Sequence, residues 1–204
     1  MSHALSSPGI LKSWRFIVSI TVLGVFFAIA FSLLIPLQYS SSVRLLITQA
    51  NAVGSDPYTT LKFTERIASS LSELLYYSSF ANNIISQAKG LNVKTFPSDE
   101  YQRRKQWQKT IETSVTPGTG IMVITAYQPS REQATALIEA AARELSLQAP
   151  NYFGSNVRVQ IIDAPLPSQW IARPDFLKNG LFGAVVGFIL SLIWVLGKKE
   201  KRGY

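Results

Sequence analysis

"VRVQIIDAPLPSQWIARPDFLKNGLFGAVVGFILSLIWVLG", residues 157–197, passes from one kind of pattern to another three times. Its opening, "VRVQIID", is rich in β-branched residues and reads as a strand. Pro165, Pro167 and Pro174 follow. Proline fixes its own φ and pushes its predecessor into an extended form, so residues 164–174 are expected to be a stiff, extended connector. Trp170 sits within it, and tryptophan favours the membrane–water boundary. The plainer alternative is that the prolines merely end a strand. Residues 180–197 then carry no charge at all.

A second uncharged run, "FIVSITVLGVFFAIAFSLLIPL", covers residues 16–37. A hydrocarbon core about 30 Å thick is crossed by about 20 apolar helical residues. Both runs meet that need, the later one with Leu177 and Lys178 to extend it, and both are flanked by Lys and Arg. The earlier run exceeds the apolar core of a secretory signal, about 7–15 residues, and "PLQYSSS" after it has no A-x-A cleavage pattern. It is therefore expected to be retained. The division follows: a tail at 1–15, a span at 16–37, an external domain at 38–179, a span at 180–197 and a basic tail at 198–204. Lys12 and Arg15 precede the first span. Lys198, Lys199, Lys201 and Arg202 follow the second, opposed by Glu200. Short basic flanks stay inside, so both termini are expected in the cytoplasm and the middle domain outside. The net charge of +8 is then mainly a topology signal, with no further support for nucleic-acid binding.

The external domain contains no cysteine and must hold together by packing alone. In "YSSSVRLLITQ", Val43, Leu45 and Ile47 recur with the period of a strand. Asp56-Pro57 is an N-cap followed by proline at the first helical position. From there Phe63, Ile67, Leu71, Leu74 and Leu75 recur at helical spacing. A second short helix is expected over 80–88, closed by Lys89-Gly90, and Ser98 is a candidate cap for a third. "TSVTPGTG" reads as a turn. "IMVITAY" reads as a strand buried on both sides. "QPSREQATALIEAAARELSLQ" reads as a helix whose Ser130 and Gln133 fit a capping box and whose Ala134, Leu137, Ile138, Ala141, Ala142 and Leu145 form one face. The fold class predicted is a membrane protein of the α+β type. Two transmembrane helices flank an external α/β domain with a small mixed sheet and helices on one face.

The chemistry is sparse. His3 is the only histidine and there is no cysteine, which leaves no candidate for a His-based triad or a soft-metal site in the external domain. "PGTG" lacks the lysine of a phosphate loop. No catalytic residue, metal or cofactor is expected. Asp163 is a candidate ion-pair partner of Arg158 or Arg173. Gly183 and Gly187 form a GxxxG pair, which lets helices approach closely in lipid. Its partner is the first span, another copy of the chain or a polymerase. "YQRRKQW" joins Arg103, Arg104 and Lys105 to Tyr101 and Trp107. Three readings stay open for it: a glycan contact, a seam between protomers, or a solvated helical face.

Residues 121–146 and 157–197, with the Ala164-Pro165, Pro167 and Pro174 spacing and a glycine-bearing span after Asn179, resemble the membrane-proximal half of polysaccharide co-polymerases, the Wzz-type chain-length determinant family. "YSSSVRLLI" is similar to the strand that follows that family's first span. The resemblance implies a non-enzymatic, homo-oligomeric scaffold in the plasma (inner) membrane. Such a scaffold works with a polysaccharide polymerase and a growing or lipid-linked glycan to set the chain length or assembly of an O-antigen, capsule or exopolysaccharide. The family's longer central insert has no counterpart here, since residues 58–110 leave room for short helices only. No kinase domain follows the second span, so the chain reads as a short form. The alternative is an adaptor for a separate cytoplasmic tyrosine kinase, contacted through "KKEKRGY".

Overall fold

Side-chain alternation settles which way the sheet faces. In the computed structural model, which describes residues 14–50 and 56–200, with side chains as far as residue 197, four strands form a sheet in the order β2-β3-β1-β4. The strands are β1 (Tyr39–Gln49), β2 (Ile111–Val115), β3 (Ile121–Gln128) and β4 (Val157–Pro167). Val43, Leu45 and Ile47 of β1 are buried, as are Met122, Ile124 and Ala126 of β3. The residues between them on β3 are only partly covered, so β3 has one buried face and not the two expected. A strand backed by helices on one side alone needs that alternation.

The helices are α1 (Trp14–Ser32), α2 (Pro57–Leu74), α3 (Ser78–Gln87), α4 (Glu100–Thr110), α5 (Arg131–Phe153) and α6 (Phe176–Glu200), with a 3₁₀ turn at Val93–Thr95. Their starts are chemically marked. The Asp56 carboxylate accepts from the Thr59 N–H at 3.0 Å, and Pro57 opens α2 where no backbone donor is needed. Asp99, not Ser98, caps α4 by accepting from the Gln102 N–H at 2.8 Å. Ser130 caps α5 through the Gln133 N–H at 3.3 Å. The Glu132 carboxyl is held below its usual range by its own backbone N–H and then by the Ser130 hydroxyl. Helix α5 continues through Pro150 to Gly154, whose φ of +89° ends it.

The chain forms two compact units, Gln38–Ala172 and the pair of flanking segments that includes α1 and α6. In the first, α2, α4 and α5 pack on the buried face of the sheet, and α3 packs against α4 and α5. The core there includes Leu71, Leu75, Ile84, Trp107, Leu137, Ile138 and Leu145. Every strand pairing is antiparallel, which corrects the mixed sheet. Strands β3 and β4 do run parallel, as a strand–helix–strand unit requires. However, β1 lies between them and is hydrogen-bonded to both, so no parallel pair is ever in contact. Residues 113–115 of β2 fall in the stretch expected to be a turn. Ile111, Thr113 and Val115 alternate with Glu112 and Ser114 there, and the turn proper is Thr116–Gly120, with Gly118 at φ +70°. Glu65 ties α2 to that turn. Lys62 and then the Gly118 N–H donate to its carboxylate and hold its pKa below the usual value.

In the second unit, α1 and α6 are long and apolar enough to cross a membrane. The first ends at Ser32, earlier than the expected boundary at residue 37. Leu34 and Ile35 donate to oxygens only three residues back, and Pro36 forces Ile35 out of the helical region. Residues 1–13 and 201–204 lie outside the described residues. The tails expected to be cytoplasmic and the kinase-contact reading of "KKEKRGY" fall largely on them.

Trp107 is fully buried, and its indole N–H donates to the Leu75 carbonyl at 2.7 Å. Trp107→Ala is expected to destabilise the chain by about 3–5 kcal/mol. Trp107→Phe, which leaves that carbonyl unmet, should cost about 1–3 kcal/mol. Tyr101→Ala, at an exposed position of the same helix, should fall within about 0.5 kcal/mol of the parent. Denaturant unfolding of the three full-length variants in detergent checks the ranking.

Candidate functional site

Three places drew attention in the sequence, and the structure treats each differently. The connector is not a free rod. Strand β4 runs on to Pro167 and pairs with β1 as far as Ser41. The register shifts twice, between Ser42 and Arg44 and between Arg44 and Leu45, and these irregularities absorb extra residues on the β4 side. Proline has no donor to give a ladder, so it is confined to edge strands and bulges. Pro165 and Pro167 occupy such an edge. That explains why they do not end the strand at Asp163.

Beyond Pro167 the chain remains stitched. The Ser168 N–H donates to the Ser40 carbonyl at 2.7 Å, and the Ala172 N–H to the Gln38 carbonyl at 2.8 Å. The Ser40 N–H donates in turn to the Ser168 hydroxyl. Arg131, the first residue of α5, closes the arrangement. Its guanidinium donates to the Gln169 carbonyl and lies 5.0 Å from the centre of the Tyr39 ring, a distance for cation–π attraction. One arginine thus holds the start of β1 and the segment after β4. Trp170 is left 82% exposed, and Pro174 belongs to the other unit. Asp163 pairs with Arg44 across the strands at 2.9 Å, not with Arg158 or Arg173. Both groups are more than half exposed, so the pair adds little.

Gly183 and Gly187 face α1. A Cβ built on Gly183 would stand 2.5 Å from the Ala28 Cβ and 2.6 Å from the Gly24 carbonyl oxygen. One on Gly187 would stand 2.9 Å from the Ile20 oxygen, and one on Gly24 2.6 Å from the Gly183 oxygen. The backbones therefore touch with no room for a side chain. Asn179 donates to the Ser32 hydroxyl at 2.8 Å, and Phe16 stacks on Trp194 at 4.3 Å. The counterpart on α1 was missed, although Gly24 and Ala28 form a small-x-x-x-small pair in plain view.

The basic stretch is dispersed around α4. Trp107 is in the core and presents no face to a ligand. Tyr101 and Lys105 are exposed and Arg103 is half-buried. Arg104 donates through Nε and Nη2 to the Ser78 hydroxyl at 3.2 and 3.0 Å. The combined aromatic–cationic platform therefore does not form. Glu144 of α5 was also overlooked. It is only 2% exposed, and its carboxylate accepts from Asn83 at 3.1 Å and Gln87 at 2.8 Å, one turn apart on α3. Its position three residues after Ala141, inside the apolar stripe, was the available signal. Among the described residues no group of three or more His, Cys, Asp or Glu side chains is placed to hold a metal ion. No protein-family model and no curated protein matches the chain.

Arg131→Ala should release the segment after β4. The Ser168 and Ala172 amides are expected to exchange about tenfold faster or more, equivalent to about 1.4 kcal/mol of lost protection, while amides of β3 stay unchanged in hydrogen-exchange mass spectrometry. In the second unit, the absence of native cysteine makes cross-linking clean. Ser32→Cys with Asn179→Cys should give an intramolecular disulfide on oxidation, read as a mobility shift. Adding Gly187→Ile should lower its yield several-fold.

Proposed function

We propose that α1 and α6 cross the plasma (inner) membrane with both termini cytoplasmic, and that Gln38–Ala172 is a rigid external body in a non-enzymatic, homo-oligomeric scaffold. Its partners are a polysaccharide polymerase and the growing or lipid-linked glycan, and its task is to set the chain length or assembly of a surface polysaccharide. The observation that carries this reading is the pinning of the two exits. The residues where the chain leaves for α1 and for α6, Gln38 and Ala172, share a backbone hydrogen bond of 2.8 Å. Arg131 clamps the adjoining segments. A body pinned at both exits keeps its own shape under load, where a floppy attachment dissipates it. The likeness of residues 121–146 and 157–197 to polysaccharide co-polymerases supplies the polysaccharide.

The test is the size distribution of surface polysaccharide on a gel, with the gene present, deleted and restored in its own host. The modal length is expected to shift or collapse on deletion and to return on complementation. Unchanged lengths and amounts would overturn the proposal.

A further inference from the structure

A cleft of about 420 Å³ opens between α3, the 3₁₀ turn and the start of α4. Pockets that hold small ligands run from about 300 to 1,000 Å³, so the volume suits one or two sugar rings. Its walls carry three chemistries. Val93 and Pro97 are exposed and apolar, with the buried Ile85 and Phe96 behind them, and Phe96 packs on Trp107 at 6.3 Å between ring centres. Asn82, Ser86 and Ser98 are neutral hydrogen-bonding groups. Lys94 and Arg103 are cations contributed by two different elements, and neither is ion-paired among the described residues.

We infer that this cleft binds an acidic saccharide. The apolar wall suits the C–H face of a pyranose. The amide and hydroxyls suit its ring hydroxyls, and the two cations suit a carboxylate, Arg103 in the planar, two-pronged way that a guanidinium allows. Neither Asp99, whose carboxylate caps α4, nor Glu100 lines this cleft; Arg103 borders both the cleft and the small adjoining crevice over Trp107 that Glu100 lines. A neutral sugar would leave both cations without a partner, and a simple anion would leave the apolar wall uncovered. The inference deepens the scaffold reading and rests on it for biological sense, but its test is independent.

The probe is a tetrasaccharide of alternating glucuronic acid and N-acetylglucosamine, titrated calorimetrically into the full-length protein in neutral detergent. Its carboxyl-reduced, neutral counterpart is the control. The acidic probe is expected to bind at least tenfold more tightly than the neutral one. Lys94→Glu with Arg103→Glu, at one exposed and one half-buried side chain, should remove that preference while the thermal transition stays in place. Val93→Trp, which fills the cleft without changing charge, should weaken both probes. No binding, equal binding of the two probes, or acidic binding that survives both variants would each overturn the inference. Gene deletion decides the scaffold reading separately. A shift in polysaccharide length with no saccharide binding sinks the cleft alone, and binding with no length shift sinks the scaffold alone.

Discussion

Strand β1 is hydrogen-bonded along both of its edges, to β3 on one side and β4 on the other, and the rest of the Gln38–Ala172 unit is arranged around that constraint. It is the first strand in the chain, yet it occupies the space between the two strands that α5 connects. Its inward residues, Val43, Leu45 and Ile47, are buried beneath the helices. A one-residue slip would turn all three to the open face and bring Arg44 and Leu46 inward. Register is therefore set by burial, and the prolines of β4 must accommodate it. They do so through two register shifts in β4, which keep Val157–Ile161 aligned at one end and Leu166–Pro167 at the other.

The same placement explains why the two exits from the unit lie together. Antiparallel pairing of β1 with β4 puts the start of one beside the end of the other. The bonds from Ser168 to Ser40 and from Ala172 to Gln38 continue that ladder past the last formal strand pair. Arg131 belongs to α5, which packs on the sheet, so the body of the unit itself supplies the clamp. Within the other unit, α1 and α6 achieve closeness by a different route. Gly24, Gly183 and Gly187 give up side chains so that dispersion between backbones, together with the Asn179–Ser32 hydrogen bond, can hold the helices.

Local signals were legible in the sequence and pairwise ones were not. Asp56-Pro57 and Ser130 announce helix starts because capping is a matter of a few adjacent residues. The alternation at Val43, Leu45 and Ile47 announces β1 for the same reason. Strand β2 was lost because α4 passes into it at Ile111 without a loop, so no punctuation separates the two. The extension of β4 was lost because Pro165 and Pro167 read as terminators, and only the knowledge that β4 is an edge strand makes them acceptable. The burial of Trp107 could not be read from "EYQRRKQWQKT", where a single large apolar residue among polar ones establishes no periodicity. The cleft was hidden for a related reason, since Lys94 and Arg103 meet there from separate elements.

The two edges of the sheet also limit how copies of this chain can associate. Sheet edges are open templates for strand addition unless something blunts them. Strand β2 is one edge and is only 5 residues long. Strand β4 is the other. Its final segment contains Pro165 and Pro167, which have no donor to offer an incoming strand. The short β2 and the proline-bearing end of β4 therefore limit an intermolecular ladder to the Val157–Asp163 stretch. Outside that stretch, the proposed homo-oligomer would be built through side chains, on the helices or on the open face of the sheet, where Arg44 and Asp163 pair in solvent. Contacts of that kind are more readily altered one residue at a time than a continuous sheet, which is compatible with the scaffold proposed above.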